Sequence, residues 1–358
     1  MATCRDLYHE GAKLVLQHPI ILDGPEEKAL SLMRFIQAED LSRCFYVRRF
    51  LVEIDPMPKS IATSLISILF RMTSLEHLTI GAENMMESFP ALLPAFAAIR
   101  SLKSLSLIGI GKHSIRFLET LQSKLVSANL YFTTEGSSRN LSLSGNTHPI
   151  FMLERSASTL EQLTCVSWFD KIPERHFMRS HTTYPKMRSL TLTHCVVTSP
   201  IPYIRAFPNL EFLVVNSDSS DEPSGPLNLS QFQRSLNIIF QDPSDAVVWK
   251  WHQLGSFTGR LIDLWNLGIL CPIRHLTLDD APDARPSDAL TDVLESASPQ
   301  LLVLNFRGSP FKDVLSSDFL SALRTKGAAQ IRRLVVMIDM MAEDREVDVA
   351  KAMVSSSP

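Results

Sequence analysis

One phrase of apolar and polar residues returns along the chain. It is an apolar residue, two unconstrained positions, leucine or a substitute, one unconstrained position and a further apolar residue. It reads VRRFLV from Val47, LEHLTI from Leu75, LKSLSL from Leu102, LEQLTC from Leu160, MRSLTL from Met187 and LEFLVV from Leu210. It continues as IRHLTL from Ile273, LLVLNF from Leu301 and IRRLVV from Ile331, with a looser copy, LVSANL, from Leu125. The alternation within each phrase suits a short strand with one buried face, because successive side chains on a strand point to opposite sides. Taking the central apolar residue as a phase mark gives Phe50, Leu78, Leu105, Ala128, Leu163, Leu190, Leu213, Leu276, Leu304 and Leu334. The wide gap between Leu213 and Leu276 has room for two irregular units, with Leu236 in SLNIIF as the best mark between them.

Segments with helical spacing and turn punctuation separate the phrases: SFPALLPAFAAIRS, HSIRFLETLQSK, PIFMLERSAST, SDALTDVLESASP and SSDFLSALRTKG. In SDALTDVLESASP, Ser287 or Asp288 is placed to cap a helix whose apolar stripe is Ala289, Leu290, Val293, Leu294 and Ala297. Strand followed by helix, repeated, forces parallel strands joined by right-handed crossovers. Most marks recur within or near the spacing of about 20–29 residues that defines leucine-rich repeats. The expected fold class is therefore α/β, an irregular leucine-rich-repeat solenoid: a right-handed arc with parallel β strands on its concave side and helices on its convex side. An ordinary α/β domain with leucine-rich strands is the alternative.

Regular repeats of this type carry Asn or Cys shortly after the last leucine. Here Glu83, Ile110, Asp218 and Ala281 occupy that place, which predicts uneven stacking and longer loops. The expected organisation is a helical N-terminal segment over residues 1–45, repeats over 46–342 numbering about 10–11 units, and a C-terminal tail over 343–358. The stretch NSDSSDEPSGP, from Asn216 to Pro226, reads as the longest exposed loop. The segment Trp249 to Leu270 reads as an amphipathic core helix with Leu261, Leu264 and Trp265 on one side. Met337, Met340 and Met341 would form an exposed apolar edge if the array stopped there.

Composition changes this picture little. A chain of 358 residues, 45% hydrophobic and 20% charged, can bury a sizeable core. A formal net charge of −3 offers no bulk attraction to nucleic acid or anionic lipid, so neither is an expected partner. No apolar run approaches the roughly 20 residues that span a bilayer. The N-terminus lacks the basic-then-apolar order of a secretory signal. Five scattered cysteines without a C-x-x-C pair suit a reducing compartment, cytoplasm or nucleus, and give no metal framework. No phosphate loop, dinucleotide fingerprint, nucleophile elbow or H-E-x-x-H is present, and His176 and His181 have no further ligands near them in sequence. No catalytic, cofactor-binding or metal residue is assigned, and the chain is read as a non-enzyme.

The candidate binding residues lie on the solvent face of the strands. His77 and His275 hold the same slot, just before the central leucine. The next outward slot carries Thr79, Ser106, Asn129, Thr164, Thr191, Val214, Thr277, Asn305 and Val335, a ladder suited to solvated strands. With Tyr131, Phe212, Asp279, Arg307 and Arg333 as larger anchors, this face reads as a mostly uncharged groove for a protein partner.

The N-terminal phrase TCRDLYHEGAKLVL, followed by LSLMRFIQAEDLSRCFYVRRFLVEI, resembles the junction in fungal F-box proteins that carry irregular leucine-rich repeats. Cys4, Arg5, Leu7 and Tyr8 match the C-R-x-L-Y pattern of the last F-box helix, and LIDLWNLGILCPIRHLTL resembles a recurring phrase of that family. The rest of an F-box, with its opening Leu-Pro-x-Glu phrase, has no counterpart, so the box is expected to be largely missing. The resemblance implies the substrate receptor of an SCF-type ubiquitin ligase, in which Cys4, Arg5, Leu7 and Tyr8 are the remnant of the surface that grips the Skp adaptor and the repeats hold a target. A repeat scaffold with no ubiquitin link, or a truncated gene product, is the alternative reading.

Overall fold

The computed structural model describes residues 2–132, 148–168, 182–217, 227–241, 249–279, 288–307 and 321–339. It forms two compact units, Met1–Met187 and Arg188–Pro358. Both are α/β, and in each the strands are parallel and pair in chain order.

In the first unit, helix α1 (Ala2–Gln17) precedes β1 (Ile20–Leu22), α2 (Glu26–Gln37) and β2 (Arg49–Val52). Then come α3 (Lys59–Leu69), β3 (His77–Gly81), α4 (Ala82–Ser88), α5 (Leu92–Ala97), β4 (Ser104–Ile110), α6 (Lys112–Thr120) and β5 (Ser127–Phe132). Helix α7 (Pro149–Met152) and β6 (Gln162–Val166) complete it. Phe50, Leu78, Leu105, Ala128 and Leu163 register as one buried row across β2 to β6. Val52, Ile80, Leu107, Leu130 and Cys165 form the next. Each fully buried leucine is worth about 1.5–3 kcal/mol relative to exposure, so the rows are a main source of cohesion. The segment expected to be helical up to residue 45 also contributes β1, whose Ile20 pairs with Phe50.

The second unit runs β7 (Ser189–Thr193), α8 (Ile201–Ala206), β8 (Phe212–Asn216), α9 (Leu227–Ile239), β9 (Leu254–Arg260), α10 (Leu261–Leu267), β10 (Ile273–Asp279), α11 (Ala289–Ala297), β11 (Leu301–Arg307) and β12 (Arg333–Asp339). Its central row is Leu190, Leu213, Phe257, Leu276, Leu302 and Leu334. Three sequence expectations need correction. The mark between Leu213 and Leu276 is Phe257, because Leu236 lies in helix α9. The segment from Trp249 to Leu270 is a strand followed by a short helix rather than one helix; Trp251 and Trp265 are buried all the same. Leu302, not Leu304, aligns with Leu276, so the phase in β11 slips by one alternation. Asp288 does hold the N-cap position of α11, but its side chain makes no capping bond. Leu334 and Met337 on β12 are 43% and 51% exposed. Met340, Met341, the tail over 343–358, and the loop beyond Ser217 lie outside the described residues.

At the strand entrances, one carbonyl accepts two N–H groups from the following turn. The carbonyl of Arg48 takes Glu76 and His77, Glu76 takes Lys103 and Ser104, Lys103 takes Val126 and Ser127, and Val126 takes Glu161 and Gln162. Side-chain hydroxyls add further ties between adjacent turns. Buried Ser123 accepts the Leu102 N–H at 3.2 Å and donates to the Ile99 carbonyl at 2.6 Å. Buried Ser156 accepts the Leu125 N–H at 3.0 Å, and Thr159 donates to the Leu125 carbonyl at 2.8 Å. In the second unit, buried Asn237 of α9 and buried Gln241, just beyond that helix, do comparable work. Asn237 donates to the carbonyls of Thr198 and Asn266, while Gln241 donates to Gly268 and accepts the Leu270 N–H.

Glu83, in the place where regular repeats carry Asn or Cys, serves another purpose. Its carboxylate accepts the N–H groups of His113 and Ser114 and the Ser114 hydroxyl, capping α6 of the next turn. Burial alone would push this carboxyl up, but those bonds outweigh it and hold it below the ordinary value. The approach requires glycine at position 111, where a Cβ would lie 2.3 Å from the Glu83 Cδ.

Two stability predictions follow from these contacts. Ser123→Ala leaves the Leu102 N–H and the Ile99 carbonyl buried without their hydroxyl partner, and urea denaturation should show a loss of about 1–3 kcal/mol; an unchanged midpoint would mean the hydroxyl contributes nothing. His148, fully buried before α7, accepts the Ile150 N–H through Nδ1, and burial pushes its imidazole from 6.5 down to about 3. The unfolded chain therefore binds the extra proton between those values. The stability this residue contributes is complete above about pH 6.5 and falls as pH drops, by up to about 1.4 kcal/mol per pH unit. Urea midpoints followed from pH 7 to 5 should fall more steeply for the native chain than for His148→Asn, and parallel curves would contradict this assignment.

Candidate functional site

The outward strand face of the first unit carries three registered rows. His77, Ser104, Ser127 and Gln162 form one, and Thr79, Ser106, Asn129 and Thr164 form the next. In the third, Tyr131 stands between Ile108 and Val166, an apolar group in which only Tyr131 was anticipated. The Asn129 amide donates to the Ser106 hydroxyl at 3.0 Å, fixing the middle row.

In the second unit, Ser189, Phe212, Ser256, His275, Leu301 and Arg333 share the first row. Thr191, Val214, Thr258, Thr277, Val303 and Val335 share the second. Asn305 does not belong with Thr277, as the leucine phase suggested; it pairs with Asp279, to which its amide donates at 2.7 Å. Arg260 registers on the other side of Asp279. Arg307 follows in β11, and its side chain lies outside the described residues.

Ser256, Thr258 and Arg260 are among the outward residues that sequence reasoning missed, in their case because β9 was read as helix. The signal was present in LGSFTGR, where Phe257 alternates with Ser256 and Thr258. Gly259 belongs to this strand for a steric reason: a Cβ there would sit 1.9 Å from the Val215 carbonyl oxygen. Beside it, the carboxylate of Asp263 accepts both the N–H and the hydroxyl of Ser217. Burial pushes this carboxyl above its ordinary value, with the Ser217 bonds and Arg260 opposing the shift.

Helix α1 carries the second group of candidates. Leu16 and Ala12 are buried and dock the helix. Tyr8 leans over the guanidinium of Arg43, whose Cζ lies 5.0 Å from the ring centroid. Arg43 is only 1% exposed; it donates to the Glu39 carboxylate at 2.7 Å and the Phe35 carbonyl at 3.2 Å. The hydrogen bond from Arg43 is the main cause holding Glu39 below the ordinary carboxylate range. Tyr8 therefore serves in part to seat the helix. Cys4 is exposed, and Leu7, 72% exposed, shares an apolar stripe with Leu14, 61% exposed, and Val15. Leu14 and Val15 were not anticipated, although their spacing of two turns from Leu7 marks one helical face. The side chain of Arg5 lies outside the described residues.

Among the described residues no group of three or more His, Cys, Asp or Glu side chains is placed to hold a metal ion. No described helix is long and apolar enough to cross a membrane. Neither protein-family models nor curated proteins give a match to this chain.

Proposed function

We propose that this chain is a non-catalytic leucine-rich-repeat module that binds another protein, working in the cytoplasm or nucleus as the substrate-receptor part of an F-box-type ubiquitin ligase. The observation that carries this reading is the outward strand face. Rows of Thr, Ser and Asn side chains are held in register by strand pairing and accompanied by larger residues, Tyr131 with Ile108 and Val166 in one unit and Phe212 and His275 in the other. Such a face is already ordered before it meets a partner, and aromatic side chains such as Tyr131 and Phe212 are the residue type that anchors protein interfaces. The exposed Leu7 and Leu14 stripe on α1 supports the adaptor half of the proposal, since an unpaired apolar helix face can lie in a partner's groove. Ubiquitin transfer itself would belong to other subunits, so no catalytic residue is assigned to this chain.

Co-precipitation of the full chain with purified Skp adaptor tests the ubiquitin link. The informative variant is Leu7→Glu with Leu14→Glu, which charges the exposed stripe but keeps Leu16 and Arg43 to dock the helix. Adaptor retained by the native chain and weakened at least about tenfold by the variant, or about 1.4 kcal/mol, is the expected result. Equal recovery, or none with either protein, would remove adaptor recruitment and leave the repeat scaffold without a ubiquitin role.

A further inference from the structure

A cleft of about 610 Å³ runs along the turns that enter β2 to β5 of the first unit. Four cationic side chains line it, Arg48, Arg100, Lys103 and Lys124, against one carboxylate, Glu76. This is a local excess of positive charge in a chain whose formal net charge is −3. The repeat architecture produces it, because Arg48, Glu76 and Lys103 each stand immediately before a strand and the entrance carbonyls stack those positions one turn above the next. Glu76 is already engaged: Lys103 donates to it at 2.9 Å, and Arg48 adds a further attraction. Arg100 donates to Gln122 at 2.9 Å through Nε, and Lys124 donates to the Arg155 carbonyl.

From this geometry we infer that the cleft is a docking site for an acidic linear segment of a partner protein. The inference stands whether or not α1 recruits an adaptor. Spacing selects a segment over a single small anion. From the turn before β2 to the turn before β5 is three inter-strand steps of about 4.8 Å, or about 14 Å, the reach of about four extended residues. One phosphate cannot touch both ends. Nucleic acid fits less well, because among the described residues the cleft is lined by cations but by no aromatic side chain on which a base could stack. The carboxylate of Glu76 occupies part of the positive field and acts as a built-in competitor that a partner must displace or outbid.

The test is fluorescence anisotropy of the full chain with a labelled six-residue Glu/Asp peptide, a matched Gln/Asn peptide and a six-nucleotide single strand. The acidic peptide should bind in preference to both other probes. Its affinity should fall as salt rises, and inorganic phosphate should compete only weakly. Arg48→Glu with Lys124→Glu should weaken binding at least about tenfold with an unchanged urea midpoint. Glu76→Gln should tighten it by up to about fivefold, a gain that misfolding cannot imitate. Equal binding of the neutral peptide, tighter binding of the oligonucleotide, strong competition by phosphate, or indifference to both sets of substitutions would each overturn the assignment.

Discussion

A single backbone oxygen at six of the described strand entrances, accepting two N–H groups from the turn that follows, is the contact on which the stacking of successive turns depends. Strands of three to seven residues cannot stand alone, and each must borrow its neighbour's edge. The shared carbonyls of Arg48, Glu76, Lys103 and Val126 set the register at which one turn meets the next. Once that register is set, Leu78 falls on Leu105 and Thr79 on Ser106, so the buried core and the solvent face are aligned together. The same oxygen recurs at Arg188 and Gln300 in the second unit. Buried side chains then satisfy the polar groups that these shared oxygens leave over: Ser123 and Ser156 in one unit, Asn237 and Gln241 in the other. Different side chains meet the same demand because a buried amide or carbonyl without a partner is costly whatever the repeat's consensus.

Leucine spacing made much of this legible before any coordinates, and its failures have identifiable causes. Leu78, Leu105, Leu163, Leu190, Leu213 and Leu276 all mark buried central positions, because one-sided burial forces alternation. SLNIIF misled because a short apolar run fits strand and helix equally, and packing made it part of α9. LGSFTGR escaped because its central residue is Phe257 and its glycines weaken the apparent strand preference, although Gly259 is there to let β9 approach β8. The slip at β11 arose because Leu302 and Leu304 alternate correctly under either phase; only pairing with β10 decides between them.

The functional surfaces divide along the same line. The Thr and Ser rows were readable from strand periodicity, and so was Phe212. The Asp279 and Asn305 pair was not, because it depends on the corrected register. The basic cleft was invisible in a composition close to neutrality. Its cations come from separate repeats, and only stacking brings them to one edge. Glu83 shows the complementary lesson: a residue whose place in the sequence pattern suggested uneven stacking caps the next helix.

The central claim, that backbone and hydroxyl ties at the strand entrances hold successive turns in register, is tested most directly by native-state hydrogen exchange at the Leu102 and Leu125 amides. These donate to the hydroxyls of Ser123 and Ser156 rather than to a strand carbonyl. The account predicts that both exchange as slowly as the amides within β4 and β5, since they open only when neighbouring turns separate. Exchange as fast as that of exposed turn amides would show that the hydroxyls do not tie the turns together.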